Sequence, residues 1–170
     1  MNIAKKFIAL PIALFLIAMP SKSDISEFGI SLGHVEDITV VGVGYGQIKN
    51  NILLGASYST DLEEAFDINM LSLSAGYVFG DHEVGSFYAG VSYTDSDWTD
   101  AEGGLAIGWM KLAKTGNSFG FSVDDDKVVS LSIGFDIGMD RKINLGVAEY
   151  TDDDFDDIGT AVSIGFAAYF

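Results

Sequence analysis

The residues best suited to chemistry in this chain are carboxylates, and they cluster. Asp152-Asp153-Asp154-Phe155-Asp156-Asp157 is acidic at all but one position. Such a run attracts divalent cations, and Asp152, Asp154 and Asp156 are the candidates to share one weakly. An EF-hand loop counted from Asp152 needs Gly at its sixth position and Glu at its twelfth. Asp157 and Ser163 stand there instead, so a solvated acidic loop is the simpler reading and no resident metal is expected. His34 and His82 fall in different turns, and neither has a Ser partner at a spacing that suits a nucleophile and its base. Gly42-Val43-Gly44-Tyr45-Gly46 is not a G-x-G-x-x-G fingerprint, and no helix follows it. With no acid/base constellation, the chain reads as a non-enzyme without a cofactor.

Composition narrows the classes further. The chain has 170 residues, a formal net charge of -16 and no Cys. One domain is expected at that length. The charge argues against nucleic acid as a partner. The absence of Cys removes disulfides, thiolate metal sites and a thiol nucleophile. Residues 1–23 have the make-up of a secretory signal peptide. Lys5 and Lys6 precede an apolar run from Phe7 to Met19, and Ser21-Lys22-Ser23 offers small residues before a cut at Asp24. The expected organisation is therefore a signal at 1–23 and a mature domain at 24–170. No later apolar run is long enough for a membrane helix, so any crossing falls to strands.

The mature part breaks into short alternating segments. In the last, Val162, Ile164, Phe166, Ala168 and Phe170 share one face, opposite Ser163, Gly165, Ala167 and Tyr169. The same period of two recurs from about Glu27 to Gly33, in Val41-Val43-Tyr45, in Ile52-Leu54-Ala56-Tyr58, and in Leu71-Leu73-Ala75-Tyr77-Phe79. It continues through Phe87-Ala89-Val91-Tyr93, Leu105-Ile107-Trp109, Phe119-Phe121-Val123, Val129-Leu131-Ile133-Phe135-Ile137 and Ile143-Leu145-Val147. That makes ten segments, an even number as a single-chain barrel needs, with eight as the alternative if a hairpin is lost.

The second face decides what surrounds these strands. It is Gly, Ser and Ala throughout, interrupted chiefly by Glu27, Asp136 and Asn144. A soluble sheet puts charged and β-branched polar residues there. A small-residue face suits a narrow lumen, with the bulky aliphatic face toward lipid. The fold expected is all-β, an antiparallel up-and-down transmembrane β-barrel. Glu27 and Asp136 are its lumen candidates, able to favour cations or simply to sit hydrated. Tyr88, Met110 and Tyr169 are inward side chains large enough to plug it, whereas the Gly/Ser rows leave room for water.

Charge separates the two ends. Odd-numbered connections carry Glu36 and Asp37, then Asp61 to Asp67, Asp95 to Glu102, Asp124 to Asp126 and Asp152 to Asp157, against one base, Lys127. The shorter even-numbered turns hold Lys49, Lys114, Arg141 and Lys142. Short turns belong to the periplasmic side and longer loops to the exterior. The acidic rim is therefore expected outside.

The whole mature chain resembles the small bacterial outer-membrane β-barrel proteins, similar in plan to the OmpA transmembrane domain and the OmpX/Ail group. The signal, the alternating strands and the ending Ile164, Phe166, Tyr169 and Phe170 carry the likeness. The resemblance implies the outer membrane of a Gram-negative bacterium, outer-membrane lipid as surroundings, and recognition of those four residues by the barrel-assembly machinery. It also implies a role at the cell surface, in envelope structure or contact with an external ligand. A narrow cation-preferring, porin-like channel is the alternative.

Overall fold

The computed structural model describes residues 25–35, 38–62, 69–96, 102–125, 128–150 and 160–170. They form ten strands: β1 (Ile25–Val35), β2 (Ile38–Lys49), β3 (Ile52–Asp61), β4 (Asn69–Phe79), β5 (Ser86–Ser96), β6 (Glu102–Lys111), β7 (Ser118–Asp124), β8 (Val128–Asp136), β9 (Arg141–Tyr150) and β10 (Thr160–Tyr169). Each pairs antiparallel with its sequence neighbour, and β1 pairs with β10, closing the barrel. The ten-strand expectation holds. Even the short β7, of seven residues, is a full member of the ladder.

Turn chemistry sets the register at the terminus-bearing end of the barrel, where β1 begins and β10 ends. Asn50 and Asn51 both take positive φ, 50° and 67°. That is the two-residue type I′ geometry whose twist matches flanking strands. Asn51 Nδ2 then donates to the carbonyls of Val78, at 2.7 Å, and Gly80, at 3.0 Å, so one side chain ties β3 to β4. With that end fixed, the period of two assigns every face. The outer face carries Ile30, Val91, Leu105, Ile107, Leu131 and Ile164, all exposed. Ile107 is 65% exposed in mid-strand. A belt of aliphatic side chains around a closed barrel would be a large unmet apolar surface in water; hydrocarbon removes that cost.

The inner face is narrow because strands approach closely there. Gly76 of β4 lies opposite Gly90 of β5. A Cβ built on Gly90 would sit 2.5 Å from the Ala75 carbonyl oxygen and 2.9 Å from the Gly76 Cα. Backbone, not a flexible side chain, would have to yield. Gly90→Ala should therefore lower unfolding stability by about 1–3 kcal/mol, the usual penalty of overpacking. On Gly46 an added Cβ would meet only the Leu54 carbonyl oxygen, at 3.9 Å. Gly46→Ala should be near neutral in the same urea titration; equal penalties for both would refute the close-approach reading.

Candidate functional site: the lumen

The two ends of the lumen differ. At the end bearing the termini, inward side chains pack into an apolar plug. Ile25, Ile48, Val78, Ala167 and Tyr169 are buried there, with Leu53, Tyr88, Met110 and Leu112 against them. Ile25, Ile48 and Val78 are 1%, 0% and 0% exposed, the values of a solid core rather than a wetted channel wall. Register explains the assembly. Ile25 of β1 faces Ile48 of β2, Ile48 faces Leu53 of β3, and Val78 of β4 faces Tyr88 of β5. Each pair lies on the inner face near the end of its strands, so the side chains converge across the barrel.

Toward the other end, where the long connections lie, the same face turns to Gly and Ser and the lumen opens. A vestibule of about 700 Å³ is walled by serines that include Ser57, Ser74, Ser132 and Ser163. Glu27 is its one charged lining residue among those described. A second cavity of about 370 Å³ lies against β7, lined by Ser118, Gly120 and Ser122 with Tyr88, Met110, Leu112 and Tyr169. Glu27, Asn144, Ser130 and Ser132 line both spaces.

A polar cluster stands beside the apolar plug. Asn144 Nδ2 donates to Glu27 Oε1 at 3.5 Å, and the Tyr169 hydroxyl is a further partner of that carboxylate. Lys142 is 0% exposed. Its Nζ donates to the Ala113 carbonyl and, at 3.2 Å, to Ser118 Oγ, and it lies 4.6 Å from the centre of the Tyr169 ring. A buried ammonium survives only with such company: hydrogen-bond acceptors, an aromatic face and the nearby Glu27 carboxylate.

The structure places the sequence-derived residues unevenly. Glu27 lines both cavities of the lumen. Asp136 does not project across it. Although it shares the inner face with Ser132 and Gly134, it is the last residue of β8, and backbone claims its carboxylate. Oδ1 accepts from the Gly138 amide at 2.7 Å and Oδ2 from the Gly116 amide, joining two turns at the rim. Two unshielded turn amides outbid an open lumen for a carboxylate at a strand end. Tyr88, Met110 and Tyr169 do plug the barrel, within a larger set. Lys142, read from sequence as a turn base, is instead an inward residue of β9, opposite Ala167. It sits two positions before Asn144, and that spacing was its signal.

Of the terminal four, Ile164 and Phe166 face outward on β10, whereas Tyr169 is buried in the plug. Phe170 lies 6.5 Å from the Tyr45 ring, and its backbone exchanges two 3.0 Å hydrogen bonds with Ser26. His82 Nδ1 lies 2.7 Å from the Leu112 carbonyl, while His34 pairs with Thr39 Oγ1 at the opposite end. Asp152, Asp154 and Asp156 lie outside the described residues.

No protein-family model matches the sequence, and no curated protein matches it. Solved structures do. The chain is similar to the KdgM porin, solved in complex with disordered oligogalacturonate, at 12% identity and a TM-score of 0.50, covering 85% of this chain and 99% of that one. It is also similar to the de novo designed barrel TMB2.3, at 9% identity and a TM-score of 0.49, over 88% of this chain and 97% of that one. A mutant of the Rh. blastica porin follows at 17% identity and a TM-score of 0.40, over 78% of this chain and 44% of the porin's own length. The KdgM likeness speaks for fold, and with the outward aliphatic belt and the closed ten-strand ladder it makes this chain a transmembrane β-barrel.

Proposed function

We propose that the protein is a non-enzymatic outer-membrane barrel of a Gram-negative envelope, sealed at its periplasmic end and open outside as a serine-walled vestibule. The observation that carries this reading is the apolar plug, with Ile48 and Val78 fully buried across the lumen. Ten strands lie between the packed eight-strand barrels and the open porins, so filling decides whether such a lumen conducts. Here the terminus-bearing end is filled. The signal at 1–23 would deliver the mature chain, and Ile164, Phe166, Tyr169 and Phe170 would present it to the assembly machinery. The acidic connections would then ring the exterior mouth, and the barrel's work would be done there, in surface charge, envelope structure or contact with an external ligand. The oligogalacturonate of KdgM is an acidic saccharide. A vestibule whose one described charge is Glu27 does not favour such an anion.

The test is to refold the mature chain (24–170) and apply it to planar bilayers. The expected result is heat-modifiable mobility on gels, stable insertion and no steady current. Steady current from the wild-type protein would overturn the sealed reading, and failure to insert would overturn the membrane reading.

A further inference from the structure

We propose that Lys142 is the bolt of a latent cation path that bypasses the apolar plug along β7. This rests on the sealed reading above and adds the place where the seal can be broken.

The plug is not uniform around the barrel. Its apolar members come from β1 to β6, from Leu112 just after β6, and from β10. The side formed by β7, β8 and β9 contributes Ser118, Gly120, Ser132, Gly134 and Asn144, and there a 370 Å³ cavity remains. β7 is the shortest strand, seven residues, and offers no large inward side chain to fill that space. Because this cavity shares Glu27, Asn144, Ser130 and Ser132 with the vestibule, the two spaces meet at Glu27. Polar side chains therefore border the space on both sides of that shared wall, beside Tyr88 and Met110.

The cavity's walls include Leu112, Ser118, Gly134 and Tyr169, and Lys142 packs directly against Ser118, Gly134 and Tyr169 without itself lining the space. Lys142 is wholly buried and touches the residues that floor the cavity. Its Nζ bonds Ser118 Oγ and lies over the Tyr169 ring, and a Cβ built on Gly134 would meet the Lys142 Cδ at 3.3 Å. Its bond to the Ala113 carbonyl pins it to the turn between β6 and β7. Beyond it lies the rim, where Asp136 bonds the turn amides. An ammonium here closes the path twice over. It fills the space, and it sets a positive charge in the way of any cation. Take it away and Glu27 and Asp136, two carboxylates, outnumber the one other cation among the described residues that acts on Lys142, Lys111, which pairs with the outward Phe119, so the opened path would prefer cations.

Single-channel recording tests this on the mature chain in planar bilayers with potassium chloride. Lys142→Ala should convert a silent barrel into one with steady current, about tenfold or more above the wild-type background, and with potassium favoured over chloride. Lys49→Ala, at the exposed lysine that ends β2, should stay silent. Adding Glu27→Gln to Lys142→Ala should weaken the potassium preference. The chain has no Cys, so Lys142→Cys provides a second variant with a built-in reversal. It should conduct, and aminoethyl methanethiosulfonate, which rebuilds an amine of near-lysine reach, should silence it. A merely structural lysine would not be restored in that way. If Lys142→Ala and Lys142→Cys insert with heat-modifiable mobility yet remain silent, the bolt is refuted while the sealed barrel stands. If the wild type already conducts, the sealed reading falls first. A chloride preference in the open variants would refute the cation path.

Discussion

Ile107→Arg is expected to destabilise the barrel by about 2–4 kcal/mol when it is refolded into lipid vesicles, the depth-dependent cost of a cation on a barrel's lipid face. Ile107 is 65% exposed and sits mid-strand in β6, opposite Ala89 of β5 and Val123 of β7. In water such a substitution on an exposed position would change little. In hydrocarbon the guanidinium must be desolvated or must thin the bilayer around it. Ile52→Arg supplies the contrast. Ile52 is also outward and exposed, at 51%, but it directly follows the Asn50-Asn51 turn. There the cost should fall to about 0–1 kcal/mol, since an arginine near the interface reaches headgroups. Urea equilibrium in vesicles of fixed composition measures both. Two negligible costs would mean that the outer face meets water, and the membrane assignment would be lost.

Ile48→Ala is expected to cost about 2–5 kcal/mol, as for a large-to-small change in a packed interior. Ile48 is 0% exposed and touches the inner ends of β1 and β3 through Ile25 and Leu53. Removing its three outer carbons leaves a void in a plug with little means of collapse, because barrel closure holds the strands apart. The same equilibrium experiment reads it. A loss well under 1 kcal/mol would mean that the lumen end is wetted and yielding, which contradicts the burial of Ile25, Ile48 and Val78 and removes the basis of the sealed reading.

The strands were legible in the sequence because a half-exposed strand leaves a period of two, and here both faces are chemically pure. Val91, Val43 and Ile164 mark the lipid side as clearly as Gly90, Gly44 and Gly165 mark the lumen. The plug was legible only in part. Tyr88, Met110 and Tyr169 stand out as large residues in small rows. Ile25 and Ile48 escaped because they sit at strand ends, where the pattern alone does not say whether the ladder continues. Pairing settles it: β1 begins at Ile25 because Ile48 lies opposite it. Lys142 and Asp136 failed in complementary ways. Each lies at the boundary between a turn and a strand, and its role is set at least in part by groups distant in sequence. Ser118 and Ala113 draw Lys142 inward, while Gly116 and Gly138 hold Asp136 at the rim. Gly138 is a local partner two residues on, but Gly116, Ala113 and Ser118 lie 20, 29 and 24 residues away, beyond any local window.

The plug draws residues from both ends of the chain, Ile25 from the first strand and Ala167 and Tyr169 from the last. These meet only across the β1–β10 seam, where Glu27 lies opposite Tyr169 and Phe170 pairs with Ser26. An unclosed sheet therefore lacks the part of the floor that the first and last strands supply together. Zipping the seam also completes the floor, because Ile25 and Tyr169 reach their places in it only when the first and last strands pair.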